Sequence, residues 1–87
     1  MDFTVIDVET ANPDLASICQ VGIVSFRDGK LSDSWESFVN PQDYFDDMNV
    51  SVHGISERDV RTAPTWPTIQ DMLSPWLEGQ IVVSHTA

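Results

Sequence analysis

From Phe3 to Val8 the side chains are nearly all apolar or β-branched, and the polar cluster Thr10 to Asp14, containing Pro13, then breaks the run. Such a segment suits a strand covered on both faces, and so a central one. Ile18 to Phe26 is a second run of the same kind, with Ile18, Val24 and Phe26 pointing one way and Cys19, Val21 and Ile23 the other. Both of its faces are expected to be covered. Asp28-Gly29 follows, a dipeptide that tolerates the positive φ angles of a type I′ turn, so the next strand should return antiparallel. That strand, Lys30 to Val39, sets Leu31, Trp35 and Val39 on one face and Ser32, Ser34 and Glu36 on the other, as at a sheet edge. Asn40-Pro41 ends it.

Gln42 to Gly54 lacks a sustained period and reads as a loop with one short helical turn. Ser56 and Asp59 have the spacing of a capping box for a brief helix, with Asp in place of the usual Glu. Trp66, Ile69, Met72, Leu73, Trp76 and Leu77 recur at helical spacing and predict one buried stripe, with Thr65 able to cap its start. Pro75 has no N–H for the preceding turn and should kink or tighten the helix before Gly79 closes it. Ile81 to Ser84 reads as a fourth strand. The order β-β-β-α-β makes this an α/β fold with a mixed sheet.

At 87 residues and 41% hydrophobic, the chain can build one small core. Fourteen acidic residues against four basic ones give a net charge of −10, the wrong sign for passive attraction of phosphate. A nucleic-acid ligand would need divalent cations held by some of the carboxylates, or basic residues from elsewhere. Cys19 is the sole cysteine, so no internal disulfide can form. Neither a basic leader nor an apolar run of membrane-spanning length is visible, so no membrane role and a cytoplasmic location are the expectations.

The sharpest chemical feature is Asp7-Val8-Glu9 at the end of the first strand. In an extended chain residues i and i+2 project to one side, roughly 6.5–7 Å apart. Carboxylates so placed can bridge hard cations, and paired ions in hydrolases sit about 3.5–4 Å apart. An Asp-x-Glu triplet alone more often begins a solvated loop. Its position at the carboxyl edge of a buried strand, where α/β proteins place ligands, raises the functional reading.

Here the sequence resembles a known family. Val5-Ile6-Asp7-Val8-Glu9-Thr10 is similar to the first motif of the DEDD 3′→5′ exonucleases with a catalytic histidine, the DNA polymerase III epsilon subunits and their relatives. Ile18-Cys19-Gln20-Val21-Gly22-Ile23 resembles their second strand, Phe38-Val39-Asn40-Pro41 the end of their third, and His53-Gly54-Ile55-Ser56 the loop that follows. Val82-Val83-Ser84-His85-Thr86-Ala87 resembles the approach to their second motif. These matches run in family order along residues 1–87, which the resemblance makes the N-terminal part of a single exonuclease domain with a ribonuclease H-like fold, incomplete here.

The resemblance implies that Asp7 and Glu9 are catalytic and bind two divalent ions, Mg²⁺ or Mn²⁺, weakly held or missing in the fragment itself. It implies that Thr10 and Ala11 border the 3′-terminal nucleotide and that His53 lies near the substrate groove. The partners implied are a single-stranded 3′ end of DNA or RNA and a DNA polymerase. The family pattern usually continues Thr-Thr-Gly where this chain has Thr10-Ala11-Asn12, and the later aspartates and histidine would lie beyond Ala87, so the fragment is expected to be inactive.

Plainer readings compete for several residues. A His-Gly turn needs no ligand, so His53 suits loop organisation better than substrate contact. His85 suits a structural hydrogen bond, Trp66 and Trp76 a core stripe, and Asp43 to Asp47 a solvated surface. A noncatalytic binding module on the same fold is the rival function, though such a module has little need of two close carboxylates. Finally, one helix covers only one sheet face, so the fragment is expected to self-associate.

Overall fold

The computed structural model describes residues 2–77 and the backbone of residues 81–86. Its strands are β1 (Phe3–Thr10), β2 (Ile18–Arg27), β3 (Lys30–Phe38) and β4 (Ile81–Thr86), with helices α1 (Asp47–His53), α2 (Glu57–Val60) and α3 (Trp66–Leu77) between the last two strands. They form a four-stranded sheet in the order β3-β2-β1-β4. β1 is therefore central, and β3 is an edge as its alternating pattern suggested. β1, β2 and β3 pair antiparallel, whereas β4 joins parallel to β1. The turn from β2 to β3 holds Asp28 at φ 50° and Gly29 at φ 74°, the doubly positive backbone of a type I′ turn.

Cross-strand register sorts the side chains. Ile6 stands opposite Ile23 and Val8 opposite Val21, and this face meets Ile69 and Leu73 of α3. Val21, Ile23, Val39, Ile69 and Leu73 form the main core, with Trp35, Trp66, Trp76 and Leu77 half-buried around it. The two tryptophans of α3 are thus core residues. Met72, expected on the stripe, is 47% exposed, because a twelve-residue helix at this crossing keeps only Ile69 and Leu73 fully inside. α3 continues through Pro75 to Leu77, with the proline on the exposed side. Gly79, expected to close it, lies outside the described residues.

The other face carries Phe3, Val5, Asp7 and Glu9 of β1 opposite Phe26, Val24, Gly22 and Gln20 of β2. Its apolar residues are half-buried at most, so the expectation that both faces of β1 and β2 are covered holds for one face only. Phe3 and Phe26 stack there with ring centroids 4.7 Å apart. Leu31 is also a correction, being 65% exposed: the β2–β3 register slips between Ser25 and Phe26 and carries it off the packed face.

A second small cluster, Ala11, Cys19, Ile55 and Val60 with Phe45 and Ala63 against it, lies under the segments that follow β1 and β3. The loop expected from Gln42 to Gly54 contains a real helix. Asp46 caps α1 by accepting from the Met48 N–H at 2.9 Å, and Gly54 closes it at φ 74°. Asp46 is thus a cap and not simply acidic surface. The capping box is present: the Ser56 N–H donates to the Asp59 carboxylate at 2.9 Å.

Candidate active site

Asp7 and Glu9 lie on the open face of β1, since they alternate with Ile6, Val8 and Thr10 on the packed face. Asp7 is exposed and Glu9 half-buried. Glu9 Oε2 is shielded from solvent and has no hydrogen-bond partner among the described residues. A shielded carboxylate oxygen without a donor is costly unless something cationic completes it, so this donor set fits a hard divalent ion. Among the described residues no group of three or more metal-ligating side chains converges.

The surroundings agree with a locally negative site. Cys19 is fully buried, and its thiol is pushed from the ordinary 9.0 up to about 11, chiefly by burial and then by the negative charge of Glu9, against a backbone hydrogen bond that lowers it. Glu9 thus acts on the small cluster beneath the site as well as on the open face.

β4 sets the other border. Its parallel register places Asp7 opposite His85 and Val8 opposite Thr86, so both strands deliver their carboxyl ends to one side of the sheet. The side chain of His85 lies outside the described residues.

Thr10 and Ala11, expected to border a nucleotide, are 8% and 0% exposed respectively. β1 bulges against β2 between Glu9 and Thr10, which turns the chain inward. The Ala11 N–H donates to the Ser17 carbonyl and its carbonyl accepts from the Asp46 N–H, both at 2.8 Å.

His53 serves this same strand end. Its Nδ1 accepts from the Ile55 N–H at 3.0 Å, which places the proton on Nε2, and Nε2 donates to the Thr10 carbonyl at 2.9 Å. Both ring nitrogens are engaged within the protein, the loop-organising role that the His-Gly turn suggested.

Two asparagines escaped the sequence reading. Asn49 Nδ2 donates to the Thr10 carbonyl at 3.2 Å and to its hydroxyl oxygen at 3.3 Å. Asn12, almost wholly buried, donates to the Tyr44 carbonyl at 2.9 Å and accepts from the Asp14 N–H at 2.9 Å. Ser17 completes that loop, its hydroxyl accepting from the Asn12 N–H at 3.1 Å and donating to the Asp14 carbonyl at 2.6 Å. The Asn12-x-Asp14 turn was the available signal. Asn49 gave none, because its partner is distant in sequence.

The chain is 33% identical over 91 residues to the PolC-type DNA polymerase III of Caldanaerobacter subterraneus subsp. tengcongensis, and 29% identical over 87 residues to that of Oceanobacillus iheyensis. These alignments take in 99% and 98% of the chain but 6% of each polymerase, so the chain spans a small part of those relatives. RNA exonuclease 4 of Mycosarcoma maydis is 28% identical over 68 residues, 78% of this chain and 17% of that protein. Among solved structures, exonuclease X in complex with 5′-overhanging duplex DNA superposes with a TM-score of 0.78 at 25% identity, over 95% of this chain and 48% of that one. A 3′-exonuclease that recognises the histone mRNA stem-loop shares the fold, with a TM-score of 0.72 at 21% identity, over 98% of this chain and 45% of that one. Residues 4–87 match the RNase_T exonuclease family, and the chain belongs to it.

Proposed function

We propose that this chain supplies the Asp7–Glu9 half of a metal cradle in a 3′→5′ exonuclease that hydrolyses terminal phosphodiesters. The observation that carries the reading is the shielded, unpartnered Oε2 of Glu9, on the same open face as Asp7 at the carboxyl end of the central strand. Divalent ions, when bound, supply an activated water and neutralise charge developing on the phosphate.

The chain's own residues hold and orient. Asp7 and Glu9 present their oxygens from one rigid strand, and the buried Thr10–Ala11 backbone behind them fixes where that strand ends. Mg²⁺ dehydrates reluctantly and leans on substrate phosphates, so two carboxylates alone should hold it weakly. On this reading the 87-residue chain does not turn over substrate alone.

Likeness to PolC-type polymerases favours DNA as substrate and a cytoplasmic polymerase as the working context. Within the described residues no helix is long and apolar enough to cross a membrane. The test uses the longer parent protein on 3′-labelled and 5′-labelled oligonucleotides with Mg²⁺ or Mn²⁺. Early release of the 3′ label as mononucleotide is expected, faster on deoxyribose than on ribose ends. Internal cleavage or none would refute the reading, and preference for ribose ends would move the substrate to RNA.

A further inference from the structure

α1 places no residue fully inside either cluster, and Met48 and Val52 on its outer side are 71% and 70% exposed. Seven residues of helix are marginal in water without packing, so apolar burial does not explain why this helix stays in place. Its ties to the rest of the chain are polar, and they converge. Asn49 and His53, one turn apart, both donate to the Thr10 carbonyl, and the capping residue Asp46 donates through its N–H to the Ala11 carbonyl.

Thr10 directly follows Glu9, at the point where the β1–β2 register slips. Among the described residues no hydrogen bond holds Glu9 Oε2, so the course of the strand backbone bears directly on where that oxygen sits. A ligand carboxylate has to be held within about 0.5 Å to work, and regular ladder pairing is interrupted here. We infer that Asn49 and His53 are positioning residues for Glu9: two donors from α1 brace the Thr10 carbonyl and thereby fix the end of the strand that carries the carboxylate. The inference rests on the reading of Asp7 and Glu9 as a metal-holding pair. His53 can act this way only in its Nε2–H tautomer, which the Ile55 N–H selects.

The full 87-residue chain suffices for the test. Mn²⁺ titration followed by amide line broadening should first map ion binding to β1 around Asp7 and Glu9. Asn49→Asp, which keeps size and removes both donors, and His53→Ala should each weaken that affinity about tenfold or more. His53→Gln, which keeps a donor, should recover much of the loss. Hydrogen exchange at Ala11 and Asn12 should quicken about tenfold in the two damaging variants, with thermal midpoints little changed because no core is lost. Nitrogen shifts of His53 should report the Nε2–H tautomer.

Unchanged exchange and unchanged Mn²⁺ affinity in Asn49→Asp and His53→Ala would overturn the brace, as would a mixed tautomer at His53. Should His53→Ala unfold, Asn49→Asp and the tautomer decide by the same criteria. If the wild-type chain shows no broadening near the carboxylates, the metal reading fails separately, and the exchange rates alone judge the brace.

Discussion

Gly22 stands directly opposite Asp7 in the antiparallel register of β1 and β2, so on the open face the aspartate's neighbour has no side chain. A Cβ placed at Gly22 would come no nearer than 4.0 Å to the Asp7 carbonyl oxygen, which is ordinary contact. Gly22→Ala should therefore fold, with stability equal or up to about 1 kcal/mol higher, since glycine costs backbone entropy in a strand. Gly22→Val should also fold but stand beside Asp7 where the proposed ions and phosphate meet, lowering kcat in the parent enzyme by tenfold or more on the scale of a misplaced reacting group. Thermal melting and steady-state rates of both variants check this. Full activity in Gly22→Val would place the reacting phosphate elsewhere.

Asp7→Ala gives the direct test of the carboxylate pair. In the parent protein it should cut turnover on the order of 10³-fold or more, because a bound ion supplies several kcal/mol of charge stabilisation. Folding should be nearly unaffected, since Asp7 is exposed. The 87-residue chain by itself should release no measurable mononucleotide under the same assay. Robust release by it would show that Asp7 and Glu9 need no further partners.

Cys19 offers a pH signature of the ground beneath the site. Unfolded, its thiol ionises near the ordinary 9.0; folded, it does so at about 11. Between those values the unfolded chain has lost a proton that the folded chain keeps, so rising pH favours unfolding. The contribution is fully present below pH 9 and is lost by about pH 11, an effect of roughly 2–3 kcal/mol. Urea titrations of the wild type and Cys19→Ala at several pH values should diverge across that window. Glu9→Gln should narrow it, because the charge of Glu9 is the second cause of the shift. Parallel pH curves for all three proteins would mean that Glu9 does not reach the thiol.

Local signals carried most of the fold. Alternation placed Cys19, Val21 and Ile23 on one buried face, Asp28-Gly29 fixed the hairpin, and Ser56 with Asp59 fixed the start of α2. The missed features depend on contacts distant in sequence. Leu31 changed faces through a bulge that no pattern announces, and Thr10 and Ala11 turned inward at another. The carboxylates at Asp7 and Glu9 were legible because strand periodicity alone sets their common face. Asn49 was not, because its meaning is a bond to Thr10 across 39 positions.

Self-association is the last expectation, and the structure sharpens where it would occur. α3 covers one face of the sheet, while Phe3, Val5, Val24 and Phe26 line the other and stay half-buried. The sheet also ends in two edges, β3 and β4. β3 exposes Leu31 and Phe38 but also Lys30, Ser32, Asp33, Ser34 and Glu36, a largely charged and polar surface that discourages strand addition. The apolar end of the open face, around the stacked Phe3 and Phe26, is then the favoured contact, because removing its area from water yields about 25 cal/mol per Å². A net charge of −10 opposes the meeting of two copies, so association should strengthen as salt screens that repulsion. Sedimentation equilibrium should show a dimer or larger species whose population rises from low to high salt, and Phe26→Lys should shift it toward monomer without unfolding the protein. A cooperatively melting monomer at high concentration and high salt would show that this chain tolerates its open face in water.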